Sequence, residues 1–152
     1  MNILIAAIGK AKSGAEQALF EQYAGRSSWR IEVKEIVIKK DLAVDVRKAR
    51  EAEALLAAVP DGARIVALDE RGKNEGSAAF AARLGRWRDD GVRAVAFIIG
   101  GADGLDESVR KRADLLMSLG AMTWPHMLVR GLLAEQIYRA QCILSGHPYH
   151  RA

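Results

Sequence analysis

One cysteine, Cys142, is all the chain contains, so no intrachain disulfide can staple the fold and a reducing, cytoplasmic location is the default expectation. No uninterrupted apolar run reaches the ~20 residues that a bilayer crossing needs, so no membrane span is expected. The opening Met1–Ile8 has no basic leader, and Lys10 and Lys12 follow where a secretory cleavage site would fall, so no signal peptide is expected either. Repeats, low-complexity tracts and linkers are absent. Neither C-x-x-C nor H-E-x-x-H occurs, so the chain has no metal motif on which to lean. What is there is a chain of 152 residues, 50% hydrophobic and 28% charged. That length suits one globular domain over residues 1–152, and it buries about 68–70% of its unfolded surface without staples.

Lys and Arg number 23 against 19 Asp and Glu, a net charge of +4. The excess is modest and dispersed, and ordinary solubility charge explains it as well as a polyanionic partner does. Much of it is arginine, whose planar fork matches phosphate in a way lysine does not.

Short apolar runs alternate with longer amphipathic stretches. Asn2–Ile8 reads as a central strand ended by Gly9. Ser13 and Glu16 form a capping-box pattern for a helix reaching about Arg26. Trp29–Val37 alternates as a half-wet strand, with Ile31, Val33 and Glu35 on one side. Asp41–Val59 has helical spacing, and Arg64–Leu68 reads as a buried strand followed by a polar loop from Asp69 to Gly76. Ser77–Asp90 reads as a helix, Ala94–Ile99 as the most apolar strand, and a helix starts near Asp106. Leu115–Met122 follows as a fifth strand, then a long helix from Pro125 to Ser145. Such alternation predicts an α/β fold, a mostly parallel sheet with helices on both faces. Ligands in such sheets sit beyond the carboxyl ends of the strands, which selects the loops after Leu68, Ile99 and Leu119.

Gly100-Gly101-Ala102-Asp103-Gly104-Leu105 joins a strand to a helix and would let a ligand approach the backbone, or simply make a tight turn. Its G-G-x-x-G spacing is not the dinucleotide fingerprint, and it falls late in the chain. Gly72-Lys73 lacks the remaining residues of a Walker loop. Asp69 either orients a ligand or caps its loop. The three histidines, His126, His147 and His150, do not combine with Cys142 into a metal site or a nucleophilic dyad, because Cys142 lies inside the last helix. That helix is apolar around much of its circumference, from Leu128 and Val129 through Leu132, Leu133, Ile137 and Tyr138 to Ile143 and Leu144. Core burial explains part of this, and a homodimer interface is the sharper expectation. The ending Tyr149-His150-Arg151 is too aromatic and basic for a terminus with nothing to touch.

Taken in order, Gly100-Gly101-x-x-Gly104-Leu105, Thr123-x-Pro125-His126-x-Leu128-Val129-Arg130, Ala134-Glu135-Gln136-Ile137-Tyr138-Arg139-Ala140 and His147-Pro148-Tyr149-His150-Arg151 resemble the RlmH-type methyltransferases of the SPOUT superfamily. Leu68-Asp69-x-x-Gly72-Lys73 and the opening strand fit too, so the resemblance spans the chain. Ala102-Asp103 departs from a common Pro-Glu, and Ala152 stands where an acidic residue can end the chain. The resemblance implies a bacterial enzyme that uses S-adenosyl-L-methionine to methylate N3 of a pseudouridine in large-subunit ribosomal RNA. It also implies a homodimer and a C-terminal trefoil knot, which no periodicity reveals. The implied cofactor positions are Leu68, Gly101, Gly120, Ala121, Met122, Thr123, Trp124 and Pro125. These lie on the loops that the sheet pattern selects.

The implied reaction passes a methyl group in line from a sulfonium to an imide nitrogen, a task of positioning more than of covalent chemistry. The imide proton leaves to His126 or His150, or Arg130 or Arg151 stabilises the imide anion. Tyr149, His150 and Arg151 are expected to clamp the substrate, His126 and Arg130 to line the site, and Glu135 to orient a neighbour. Glu135 and Arg139 also make an ordinary i,i+4 pair, worth about 0.2–0.5 kcal/mol. No RRM, KH or OB signature is present, so recognition of the assembled ribosome's shape is expected over naked RNA. The alternative is a non-catalytic ribosome- or RNA-binding module of the same fold, which would not need the intact run of cofactor-loop residues. The missing fingerprint disfavours a dehydrogenase.

Overall fold

The computed structural model describes residues 1–151; the departure at Ala152 lies outside the described residues. The strands are β1 (Asn2–Ile8), β2 (Arg30–Ile36), β3 (Arg64–Lys73), β4 (Ala94–Ile99) and β5 (Leu115–Met117). They form one sheet in the order β2-β1-β4-β3-β5, and every pairing is parallel. The helices are α1 (Ala15–Arg26), α2 (Val44–Ala57), α3 (Ser77–Asp89), α4 (Glu107–Arg112) and α5 (His126–Ser145).

β4 lies at the centre with every residue after Ala94 buried, as the unbroken apolar run requires when both faces are covered. Alternation along it separates two cores. Phe97 points into the layer of α1, α3 and α5, where its ring meets Phe80 edge-on at 6.1 Å. Ile98 points the other way, into the cluster of Leu55 from α2 and Val109 from α4. At the edge, β2 keeps Ile31 and Val33 half-buried between exposed charged residues. α5 lies between α1 and α3 and touches both. Its buried Gln141 accepts hydrogen bonds from Ser28 N (2.8 Å) and Ser28 Oγ (2.9 Å) and donates to Ser27 Oγ (2.6 Å), fixing the turn between α1 and β2. Among the described residues no helix is long and apolar enough to cross a membrane.

Four local expectations are corrected. Ser13 does not cap α1: Gly14 is the N-cap residue and no side chain bonds the free amides. α2 starts at Val44, not Asp41. β3 runs on through the polar stretch to Lys73, because after a break in register at Leu68 the chain rejoins β5 at Met117. β5 stops at Met117, because the Ser118 hydroxyl takes over local bonding: it donates to Gly120 O (2.8 Å) and accepts from Gly120 N (3.2 Å), which turns the chain.

The rejoined β3 and β5 lie so close that a Cβ on Gly72 would sit 2.6 Å from Met117 N and 2.7 Å from Leu116 C. The sequence motif at this glycine thus reports a backbone contact and not a phosphate loop. Gly72→Ala is expected to destabilise by about 1–3 kcal/mol through overpacking against backbone. Gly25→Ala, in α1 with nothing within 4 Å of the new methyl, is expected to stabilise by about 0.4–1 kcal/mol. Urea unfolding of both variants checks the opposite signs.

Candidate functional site

Three segments following β3, β4 and β5 enclose a cleft of about 410 Å³. Of the positions expected to hold cofactor, Leu68, Gly101, Gly120, Met122, Thr123 and Trp124 line it. Ala121 and Pro125 belong to the same loop without lining the cleft. Gly104 N donates to Gly101 O (3.0 Å) with Gly104 at φ +80°, a turn that only glycine makes without strain. From behind, Glu51 of α2 and Ile8 press on this turn: a Cβ on Gly101 would lie 2.9 Å from Glu51 Oε2 and 3.2 Å from Ile8 Cγ2. Arg47 of α2 pairs with Asp103 of the same loop. The main chain therefore faces the cleft with its back held. At the rim Met122 is 78% and Trp124 42% exposed, unusual for such side chains unless something covers them.

Asp69 stands in the cleft wall with its side chain 6% exposed. Burial pushes its carboxyl up, but hydrogen bonds from Arg71 and the charges of Arg71 and Arg110 outweigh that and hold it below the ordinary value. Asp69 both caps its loop, accepting from Arg71 N (2.9 Å), and keeps a carboxylate beside the cleft. Arg71 Nε (3.3 Å) and Arg110 Nη1 (3.4 Å), which line the same cleft, pair with that carboxylate. Burial holds Glu51 the other way, above its usual range, with Arg47 and Lys48 offsetting and Asp103 adding to the rise. Sequence reading missed Glu51, which lies beside the apolar stripe expected on α2.

A second cluster sits where β1 ends. His126 Nε2 is 2.6 Å from Ile8 O, and a carbonyl only accepts, so Nε2 carries the proton. Arg130, 3% exposed, donates to Glu35 Oε2 (2.7 Å) and Gly9 O (3.0 Å). Ala11 N donates to the same Glu35 oxygen at 2.5 Å. Burial raises Glu35, but the bonds from Arg130 and Ala11 and the charges of Arg130 and Lys10 bring its pKa below normal. The one signal for Glu35 in the sequence is a carboxylate on the side of β2 shared with Ile31 and Val33. Burial pushes the pKa of His126 down, helped by Arg130 and opposed by the bond to Ile8, so its imidazole is neutral with Nδ1 bearing the lone pair.

The tail lies on the outer side of α5. Tyr149 Oη donates to Glu135 Oε1 (2.8 Å), and the Arg139 guanidinium lies 4.8 Å from the Tyr149 ring centroid. Arg139 bonds Glu135 through Nε (3.0 Å) and Nη2 (2.5 Å), and its Nη1 is 3.2 Å from His150 Nδ1. Burial, with bonds to Tyr23 and Glu135, raises the Tyr149 hydroxyl far above its usual pKa. His147 Nδ1 accepts from Tyr149 N (3.1 Å), and Arg151 is exposed. The five catalytic candidates thus fall into two groups, His126 with Arg130 and Tyr149 with His150 and Arg151, and none lines the three-loop cleft. Ile8 links the first group to it, touching His126 through its carbonyl and Gly101 through its side chain. No group of three or more His, Cys, Asp or Glu placed to hold a metal occurs among the described residues.

His126 also sets a pH dependence. Its folded pKa lies below the unfolded value of about 6.5, so the unfolded chain binds more protons between the two. Stability is complete at neutral pH and falls as pH drops through that window. Denaturant titrations between about pH 7.5 and pH 5.5 are expected to show the decline, with a shallower slope in His126→Asn.

A family model described as "Predicted SPOUT methyltransferase" matches residues 1–150. Over 152 residues, covering 100% of both chains, the sequence is 60% identical to a Ribosomal RNA large subunit methyltransferase H of Rhodospirillum centenum. To the protein of the same name from Paramagnetospirillum magneticum it is 62% identical over 151 residues, 99% of each chain. A solved structure, the SpoU methyltransferase AviRb from Streptomyces viridochromogenes, covers 93% of this chain and 60% of its own at TM-score 0.46 and 13% identity, too loose to add to the assignment. The matched family model and the identity along the whole chain make this protein a member of the SPOUT methyltransferase family, enzymes that use S-adenosylmethionine as methyl donor.

Proposed function

We propose that the chain, acting as one domain over residues 1–152, methylates N3 of a pseudouridine in large-subunit (23S) ribosomal RNA, in the cytoplasm and on the assembled ribosome. The relatives' names, those of ribosomal RNA large-subunit methyltransferases, support the RNA class. The observation that carries the chemistry is the cleft itself. A volume of about 410 Å³ is within the range of cofactor pockets, and its walls present main chain at Gly101 and Gly120. These residues fit S-adenosylmethionine, which supplies when bound a methyl group activated by a positively charged sulfur.

Leu68, Gly101 and the segment 120–125 hold the donor by main-chain groups. His126 takes the imide proton at Nδ1, the nitrogen its bond to Ile8 leaves unprotonated. His150 accepts from Arg139 at Nδ1, so its Nε2 carries a proton, and with Tyr149 and Arg151 it clamps the base. Arg130 holds the end of β1 in place and adds positive charge beside His126, favouring an anionic imide. The reading includes a homodimer, supported by a groove of about 430 Å³ between α1, α3 and α5, where Leu19, Tyr23 and Leu132 stand beside the tail's partner Glu135. It also includes the trefoil knot. Support for it comes from the close pass of 118–125 against β3, where Ser118 N donates to Lys73 O (2.9 Å).

Calorimetry should give heat with S-adenosylmethionine and S-adenosylhomocysteine and none with NAD; no heat with either sulfur compound would favour a binding module. Methyl incorporation should be high on whole ribosomes and low on free rRNA, and equal rates would remove the particle requirement. His126→Asn should lower kcat by about 10²–10⁴ and erase the acid limb of the pH profile. Deleting Tyr149–Ala152 should abolish turnover while leaving a folded dimer that binds cofactor.

A further inference from the structure

Beside the His126 and Arg130 cluster lies a separate cleft of about 270 Å³. Its wall is the segment from Lys10 to Ser13 and the first turn of α1, and its floor is Arg130. Three features of it favour an anion. The amides that open the twelve-residue α1 receive no side-chain cap, which leaves N–H groups and the positive end of the helix dipole facing outward. Lys10 and Lys12 are both exposed at the mouth. Independently of the helix, Arg130 is 97% buried beneath the cleft, and its Nε is the one buried side-chain nitrogen or oxygen without a hydrogen-bond partner among the described residues. That nitrogen has no acceptor among the described residues, in a side chain that lines the cleft.

We infer that this cleft binds one phosphate of a nucleic-acid backbone, with the α1 amides, Lys10, Lys12 and Ser13 as its contacts and Arg130 as the positive floor. The inference rests on the reading of the chain as an RNA-modifying enzyme and gives that site a second foothold. Two carboxylates bear on the balance. Glu35 is occupied by Arg130 and Ala11 N, so it neutralises the floor only in part. Glu16 lines the cleft, in the first turn of α1, and sets a like charge beside an entering phosphate. Removing its charge should therefore strengthen binding. Because Arg130 lies one turn from His126 on α5, a backbone phosphate held here would fix the RNA beside the proposed proton acceptor. Phosphate contact of this kind sets register and carries no sequence information, as suits an enzyme without a base-reading motif.

The test uses the full-length protein with ribosomes lacking the modification, following methyl transfer as salt is varied. In a Lys10→Gln/Lys12→Gln variant, KM for ribosomes should rise about tenfold at moderate salt. The dependence of log KM on log salt should become shallower by about one unit, the signature of a lost phosphate contact. The kcat and the affinity for S-adenosylmethionine should stay at the parent values, and Glu16→Gln should lower KM. Unchanged KM and unchanged salt slope in an enzyme that still methylates would overturn the anion site and leave the proposed activity standing. If the parent protein fails to methylate, the functional reading falls instead, and a second arm decides the site alone. Inorganic phosphate, titrated against chloride at equal ionic strength, should shift the amide resonances of Ala15, Glu16 and Gln17 in the parent and not in the double variant. No shift in the parent would overturn the inference. Phosphate shifts without any effect of the variant on ribosome KM would assign the cleft to free phosphate and reject the backbone contact.

Discussion

Two carbonyl groups at the end of the first strand decide where the last helix begins. Ile8 O receives His126 and Gly9 O receives Arg130, both from the opening turns of α5. The anchor is polar, buried and set between residues more than a hundred positions apart, so it is specific in a way the apolar contacts of α5 with α1 and α3 are not. With α5 pinned there, the segment joining β5 to α5 has one short route, over the ends of β3 and β4. That route closes the three-loop cleft. Arg130 then needs Glu35 beside it, because a guanidinium this deeply buried is destabilising without a counter-charge.

The molecule divides its labour between main chain and side chains. At the three-loop cleft the main chain of Gly101 faces inward, and Glu51 and Ile8 press from behind. Around the strand end and the tail the side chains act directly, in chains of charge-assisted bonds: Glu35 to Arg130, and Glu135 to Arg139 to His150. The first arrangement gives a rigid shape; the second gives donors and acceptors whose protonation is set by neighbours.

Much of this could be read from the residues in order. β1 and β4 begin and end where their apolar runs do, because a strand buried on both faces has no polar position to blur its limits. The three strand-end loops were legible for the same reason, since parallel topology alone places ligands there. The limits of β3 and β5 were not. Residues 69–73 are polar because they line a cleft and a rim, and their strand pairing comes from contact with β5, which no local pattern encodes. The capping box at Ser13 and Glu16 misled because the α1 amides face outward uncapped. Among site residues, His126, Arg130 and the tail were visible by type and motif, yet their grouping was not: pairing with Glu35, Ile8 and Glu135 depends on how α5 lies in the fold. Glu51 carried no signal, being a charged residue on a helix full of them.

The bonds from α5 to Ile8 and Gly9 also order events during synthesis. β1 precedes residues 126–130 by more than a hundred positions, so the end of that strand stays incomplete until α5 has been made. Contacts so distant along the chain close slowly, since a long loop has to be gathered before any gain is felt. Closing the end of β1 is therefore a late step in folding, and a chain without α5 would lack the helix that lines both clefts.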